Sequence, residues 1–371
     1  MTNRQDRIHQ FAIPTPYPVG PINVYLIEGD PLTLVDAGPR TESAYQALVK
    51  GLADLGYRPS DIEQIVVTHS HADHIGQLSK FVESSDAQVL SHHAEYYWLV
   101  DFEGEWKRQA SFYGAFLRQA GLPDEQLAMM AQAVSMGAYL GASIPETRLH
   151  LLEDGDRIEA GNAEWHVFHM PGHASGHVVL YQPEAGIIIA GDLLLAHISS
   201  NPVLEAPARG QSERPRSLVQ YLNSLQRLAQ LEASRTLPGH GPTIENHREL
   251  VAERLAFHQR RLERVVEALT NGQQDAEGAS SGPGQPDEGQ TPYQICQALF
   301  PDLPPQDIFL GISEVMGHLD ILEGEGRVVA ETRNGQLRYR IAQALPGSTA
   351  GPLDQAHAGQ HDQNPDRPTQ D

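Results

Sequence analysis

Residues 68–74 read Thr-His-Ser-His-Ala-Asp-His, and no other stretch of the 371-residue chain restricts its chemistry so severely. His69, His71, Asp73 and His74 place four metal donors in six positions, directly behind an apolar run (62–68) that reads as a buried strand. A ligand-rich loop at a strand's carboxyl end is where α/β folds put their chemistry. Imidazole and carboxylate donors suit zinc, with manganese or iron as the alternatives. Four side chains this close cannot all face one ion, so further ligands have to come from elsewhere. With 18 histidines in the chain, short clusters also arise from composition alone.

Three later positions supply the support. Pro171-Gly172-His173 follows an expected strand at 164–170, Ala190-Gly191-Asp192 follows one at 187–189, and Pro238-Gly239-His240-Gly241 follows one at 235–237. Glycine there lets the backbone turn sharply and approach an ion. One such tripeptide is an ordinary turn, whereas the ordered series of strand-end ligands points to a metal site.

Around these positions strands and helices alternate. Runs at 23–29 and 32–38 predict a hairpin, Thr41 caps a helix carrying Tyr45, Leu48, Leu52 and Leu55 on one face, and 94–140 is mainly helical. Strands resume at 149–152, 164–170, 178–181 and 187–190, followed by a helix at 217–231, a short strand at 235–237 and a charged helix at 246–269. This order predicts a layered α/β domain over residues 1–245. Residues 271–290 contain no apolar side chain larger than alanine and read as a flexible linker, and 343–371 as a disordered tail. The N-terminal residues lack an apolar stretch and no run is long enough to span a bilayer, so the expected location is cytoplasmic, with no membrane partner. The lone Cys296 excludes an internal disulfide framework and reads as a buried apolar residue. Lys and Arg total 26 against 48 Asp and Glu, a net charge of −22, which disfavours nucleic acid as a partner and favours a small-molecule substrate.

The series His69-x-His71-x-Asp73-His74, His173, Asp192, His240 resembles the metallo-β-lactamase-fold hydrolase superfamily over nearly all of residues 8–245, including the segment Val35-Asp36-Ala37-Gly38. The resemblance implies a four-layer αββα sandwich with two divalent metal ions in an edge cleft. It puts His69, His71 and His173 on the first ion, Asp73, His74 and His240 on the second, and Asp192 between them. Members running di-iron redox chemistry carry Glu where this chain has His71, which argues against that branch. Such a centre generates a metal-bound hydroxide at neutral pH, with Asp73 orienting the nucleophile and taking its proton. His177, four residues after His173, is either an orienting partner or a structural histidine. His92 and His93 follow another strand, His197 is a candidate substrate contact, and Tyr96, Tyr97, Trp98, Phe112, Tyr113 and Phe116 are either core or a substrate-pocket wall.

Residues 291–342 read as a helix from Thr291-Pro292, a helix at 306–322, and two strands around Asn334-Gly335. With 246–269 as first helix, residues 246–342 resemble the winged-helix domain appended to one group of these hydrolases. The 306–322 helix carries Asp307, Glu314 and Asp320 but no Lys or Arg, unlike a groove-reading helix. Arg327, Arg333, Arg338 and Arg340 lie in or beside the wing. The expected function is hydrolysis of a small ester-like substrate, thioester or lactone, with hydroxyacylglutathione hydrolase the nearest activity. That enzyme's own C-terminal substrate-binding region has no counterpart here. The alternatives are a phosphodiesterase or ribonuclease of the same fold and a non-enzymatic binding protein, which the complete ligand set disfavours. The C-terminal module is expected to pack on the hydrolase domain and shape or shield its cleft, or to mediate self-association, without recognising nucleic acid.

Overall fold

Side-chain alternation along the strands sets the layers. In the run Ile187-Ile188-Ile189-Ala190, Ile187 and Ile189 point into one apolar cluster while Ile188 and Ala190 point into another. A strand buried on both faces has to lie between another sheet and a helical layer. The computed structural model, which describes residues 7–279 and 289–342, shows this arrangement. One sheet contains, in spatial order, β1 (Ile8–Ile13), β2 (Ile22–Ile27), β3 (Thr33–Val35), β4 (Gln64–Val66), β5 (Gln88–His92) and β6 (Leu149–Leu152). The other runs β11-β10-β9-β8-β7, from β7 (Arg157–Ala160), β8 (Ala163–His169), β9 (Val178–Gln182), β10 (Ile187–Gly191) and β11 (Arg235–Pro238). Strands β3 to β6 are parallel, as are β10 and β11, and the other neighbours are antiparallel.

Tyr25, Val35, Val66 and Leu90 of the first sheet meet Trp165, Val167, Leu180 and Leu237 of the second. Helices α1 (Glu42–Asp54), α2 (Ala72–Ile75) and α3 (Leu78–Ser84) follow on the first half. Leu48, Leu52 and Phe81 of α1 and α3 cover that sheet's other face. Each such fully buried side chain contributes about 1.5–3 kcal/mol. An insertion of α4 (Tyr96–Val100), α5 (Phe102–Gln119) and α6 (Asp124–Gly137) precedes β6, and α7 (Ser217–Leu228) covers the second sheet with Leu218, Tyr221 and Leu225. The αββα sandwich expected from the sequence is the fold of the chain.

Two strands escape the sequence reading. β1 is an edge strand with only Ile13 fully buried, and β7 has four residues, so neither carries a strong period-two signal. The expected linker also differs. Helix α8 (His247–Ala279) continues through Ala279; residues 271–279 contain no proline to stop it, and just before them Gln290 Nε2 donates to the carbonyls of Ala268 and Leu269 at 3.1 Å each. Residues 280–288 and the tail 343–371 lie outside the described residues.

After α8 come α9 (Pro292–Leu299), α10 (Ile308–Gly324) and the ribbon β12 (Val328–Arg333) and β13 (Gln336–Ile341). Their core is continuous with that of the insertion: Phe116, Leu117 and Leu122 pack among Val265, Ile295, Ile312 and Leu319. The chain is one compact unit through Ile341. No helix among the described residues is long and apolar enough to cross a membrane.

A buried ion pair pins α10 to the loop before α7. Arg214 Nη1 donates to Asp320 Oδ2 at 2.8 Å, with its guanidinium over the Phe116 ring. Removing only the acid leaves a buried charge uncompensated. Asp320→Ala should therefore lower the unfolding free energy by about 3 kcal/mol, and Arg214→Met combined with Asp320→Leu should recover most of it. Urea denaturation of the three proteins measures both.

Candidate metal centre

The seven residues singled out by sequence converge. Beyond β4, His69 and His71 occupy a loop, and Asp73 and His74 the first turns of α2. His173 follows β8, Asp192 follows β10 and His240 follows β11, so both sheets deliver donors at one edge. Donor atoms of His69, His71 and His173 lie within 4.8 Å of one another, as do those of Asp73, His74 and His240. Asp192 stands between the groups: Oδ1 is 3.6 Å from His74 Nε2, and Oδ2 is 3.6 Å from both His173 Nε2 and His240 Nε2. Asp73 Oδ2 is 3.2 Å from His240 Nε2. At Gly239 a Cβ would overlap Asp192 Oδ1, so only glycine lets the His240 turn come this close.

The remaining ring nitrogens are tied down. His240 Nδ1 donates to the Pro21 carbonyl at 2.9 Å, and His173 Nδ1 to the Asn201 carbonyl at 3.0 Å with Ser200 Oγ at 2.8 Å. His74 Nδ1 donates to Asp36 Oδ2 at 2.8 Å. His69 Nδ1 donates to Thr68 Oγ1 at 3.1 Å, whose hydroxyl donates to Asp36 Oδ2 at 2.8 Å. These bonds set the tautomers and aim Nε2 lone pairs inward. His74 Nε2, His173 Nε2, His240 Nε2 and Asp192 Oδ1 are buried without a hydrogen-bond partner. Buried polar atoms normally find partners, so this convergence fits a site built for cations.

The electrostatics agree. Burial holds His69, His71 and His173 below the ordinary imidazole range, His71 at about 3, so they offer neutral nitrogens. At His74 burial acts the same way but Asp36 and Asp192 outweigh it and raise the pKa. At His240 burial is outweighed by Asp73 and Asp192. Burial would raise Asp192, yet His74, His173 and His240 hold it well below the carboxylate range. A dication would take the place of the protons these acids draw onto His74 and His240.

Supporting groups come from residues without a motif. Asp36, at φ +63, turns its carboxylate back to accept from Thr68 N and to hold His74. Glu95 Oε1 accepts from Gly176 N at 2.7 Å and Glu205 Oε1 from Ser175 N at 2.9 Å, bracing the loop after His173. Burial, then Glu205, pushes the Glu95 carboxyl up to about 7. The loop that orients His173 is itself held from the C-terminal part: Ser199 Oγ lies 3.1 Å from His258 Nε2, and Leu204 N donates to Ser313 Oγ at 3.4 Å. His177 accepts from Asp192 N on Nε2 at 3.1 Å. His197 is exposed on the loop after Asp192, its Cδ2 3.8 Å from where a Gly241 Cβ would stand. His92 stacks on His169 and exposed His93 pairs with Glu153, neither of them joining the seven. Cys296 is buried, and burial pushes its thiol up to about 12.

Beside Ser70, His71 and Ala72 a cavity of about 730 Å³ opens, walled by Trp98, Phe102, Trp106 and Tyr113 of the insertion and Phe309 of α10. The aromatic stripe thus divides: Phe116 is core, while Trp98 and Tyr113 face the cavity, joined there by Phe102 and Trp106, which the sequence reading does not single out.

Comparison with known proteins bears on this geometry. The family model described as the metallo-beta-lactamase superfamily matches residues 17–240. The chain is 38% identical over 323 residues to the probable metallo-hydrolase YqjP of Bacillus subtilis, covering 86% of this chain and 92% of that protein. It is 26% identical over 160 residues to an atrochrysone carboxyl ACP thioesterase of Aspergillus fumigatus, covering 43% and 45%. The crystal structure of a metallo-beta-lactamase family protein from Thermus thermophilus superposes with a TM-score of 0.73 at 29% identity, covering 91% of this chain and 99% of that one. The sandwich, the donors gathered at its edge and these matches have one meaning: the chain belongs to the metallo-beta-lactamase superfamily and is a metal-dependent hydrolase.

Proposed function

We propose that the chain is a dinuclear hydrolase of small ester-like substrates, thioesters or lactones. The carrying observation is the set of buried, unpartnered donors directed at common points on both sides of Asp192. In this reading His69, His71 and His173 hold one ion, Asp73, His74 and His240 the other, and Asp192 joins them. Zinc suits the nitrogen-rich set best, with manganese or iron next. Divalent ions there would lower the pKa of a water and polarise a carbonyl. Asp73, whose Oδ2 lies 3.2 Å from His240 Nε2, would orient a water and take up its proton. Thr68 and Asp36 keep His69 and His74 in the tautomers that face inward, and the Ser200–Asn201 loop does so for His173. His197 is proposed as a substrate contact at the rim.

Two observations favour a small ester over RNA. One relative, 26% identical over 160 residues, is a thioesterase by name. In residues 246–342, which we read as a winged-helix-like unit, the wing arginines are engaged by acids and carbonyls. Arg333 and Arg340 both reach Glu331, at 2.9 and 3.1 Å, Arg327 reaches Glu325 and Glu263, and Arg338 donates to the Gly289 carbonyl. Each arginine would have to give up such a pairing, individually weak at the surface, to contact a phosphate.

Zinc-reconstituted protein should contain two ions per chain by elemental analysis. Asp192→Asn should lower that content and reduce ester turnover about a thousandfold or more. A plateau at one ion in the unaltered chain contradicts the assignment of Asp73, His74 and His240. Asp36→Asn keeps the ligand set but loosens His74 and Thr68, so metal affinity measured by chelator competition should fall about 10- to 100-fold. Single-stranded RNA should bind weakly at both low and high salt. Salt-sensitive RNA cleavage lost on changing Arg333 and Arg338 to Ala would instead favour the ribonuclease reading.

A further inference from the structure

The cavity beside His71 differs from the metal centre in chemistry. At about 730 Å³ it lies in the range that encloses a whole small molecule. One end touches Ser70, His71 and Ala72, next to the converging donors, so a ligand filling it has one end at the reacting position. Its walls are apolar. Trp98 and Trp106 stand 6.1 Å apart between ring centroids, Phe102 stacks on Trp106 at 6.4 Å, and Tyr113 contacts Phe309 at 4.6 Å. Phe309 belongs to α10, so the C-terminal part closes a wall that the insertion begins. No Lys or Arg lines the cavity among the described residues, and its one carboxylate, Glu205, is occupied with Ser175 N. A phosphate, or the carboxylates of a glutathione moiety, would enter without a cationic partner, at a large desolvation penalty.

We propose that the cavity is an acyl-binding site: the substrate is an ester or thioester whose acyl part is a large uncharged alkyl or aryl group. That group lies between Trp98, Trp106 and Phe309, with its carbonyl beside His71. This rests on the hydrolase reading above and supplies its substrate class. The reaction is plain hydrolysis. Water oxygen bonds to the acyl carbon, the bond from that carbon to the leaving oxygen or sulfur breaks, and the leaving group departs with a proton. The freed acid keeps its apolar part in the cavity until it dissociates.

The chain carries its own reporter, because two of its three tryptophans, Trp98 and Trp106, line the cavity while Trp165 is buried between the sheets. The experiment uses the zinc-loaded full chain with a series of p-nitrophenyl esters from acetate to decanoate, alongside titration with decanoate and butyrate followed by tryptophan fluorescence. Burial of each added methylene predicts that kcat/KM rises about fourfold per carbon through the middle of the series, mostly through KM. Decanoate should perturb the fluorescence at far lower concentration than butyrate, and Trp98→Phe with Trp106→Phe should remove the signal. Phe309→Ala should flatten the chain-length slope. Cleavage of the acetyl ester with a flat or falling series, and equal binding of the two acids, overturns the acyl site while the hydrolase reading stands. No cleavage of any ester in the series overturns both.

Discussion

The carboxylate of Asp36 is the fixed point of the centre. It accepts from the backbone and hydroxyl of Thr68 and from Nδ1 of His74, and Thr68 in turn receives Nδ1 of His69. A single buried acid therefore sets the tautomers of one histidine from each group of donors. It does so from a left-handed backbone position that few non-glycine residues occupy, the kind of local strain that a surrounding structure must over-determine. The β3–β4 pairing, with Val35 opposite Val66, provides that surrounding by bringing the ends of both strands level.

The second group of constraints acts on His173. Glu95 and Glu205 brace the loop after it, while Ser200 and Asn201 hold its Nδ1. Ser199 and Leu204, on either side of those residues, are bonded to His258 of α8 and Ser313 of α10. The helices after residue 246 thus touch the metal centre through one loop, and the same α10 contributes Phe309 to the cavity wall. Anchoring a ligand loop and closing a pocket both require α10 to stay seated, which the Arg214–Asp320 pair and the shared apolar core provide.

The ligand series was legible because four donors crowd into 69–74 behind a strand, and His173, Asp192 and His240 each follow a strand beside a glycine, local patterns with a mechanism behind them. Core strands such as β4 and β10 were legible as short runs rich in Ile and Val. The half-exposed β1 and four-residue β7 lacked a period, and the polar composition of 271–279 hid the continuation of α8, which no proline interrupts there. Asp36, Glu95 and Glu205 carry no motif. A lone acid is silent until the fold shows what it accepts from.

The sequence by itself determined the donor types, their order and the layered class, because ligand chemistry and side-chain periodicity are local properties of the chain. Tertiary structure decided which nitrogens face inward, since that depends on carbonyls and carboxylates contributed by Pro21, Asn201 and Asp36, between 28 and 219 positions away from the histidines they hold. It also decided that the aromatic stripe of the insertion divides between core and cavity. Helical spacing gives every residue of a face the same period, and only the packing of distant elements against that face tells a buried ring from one lining a pocket.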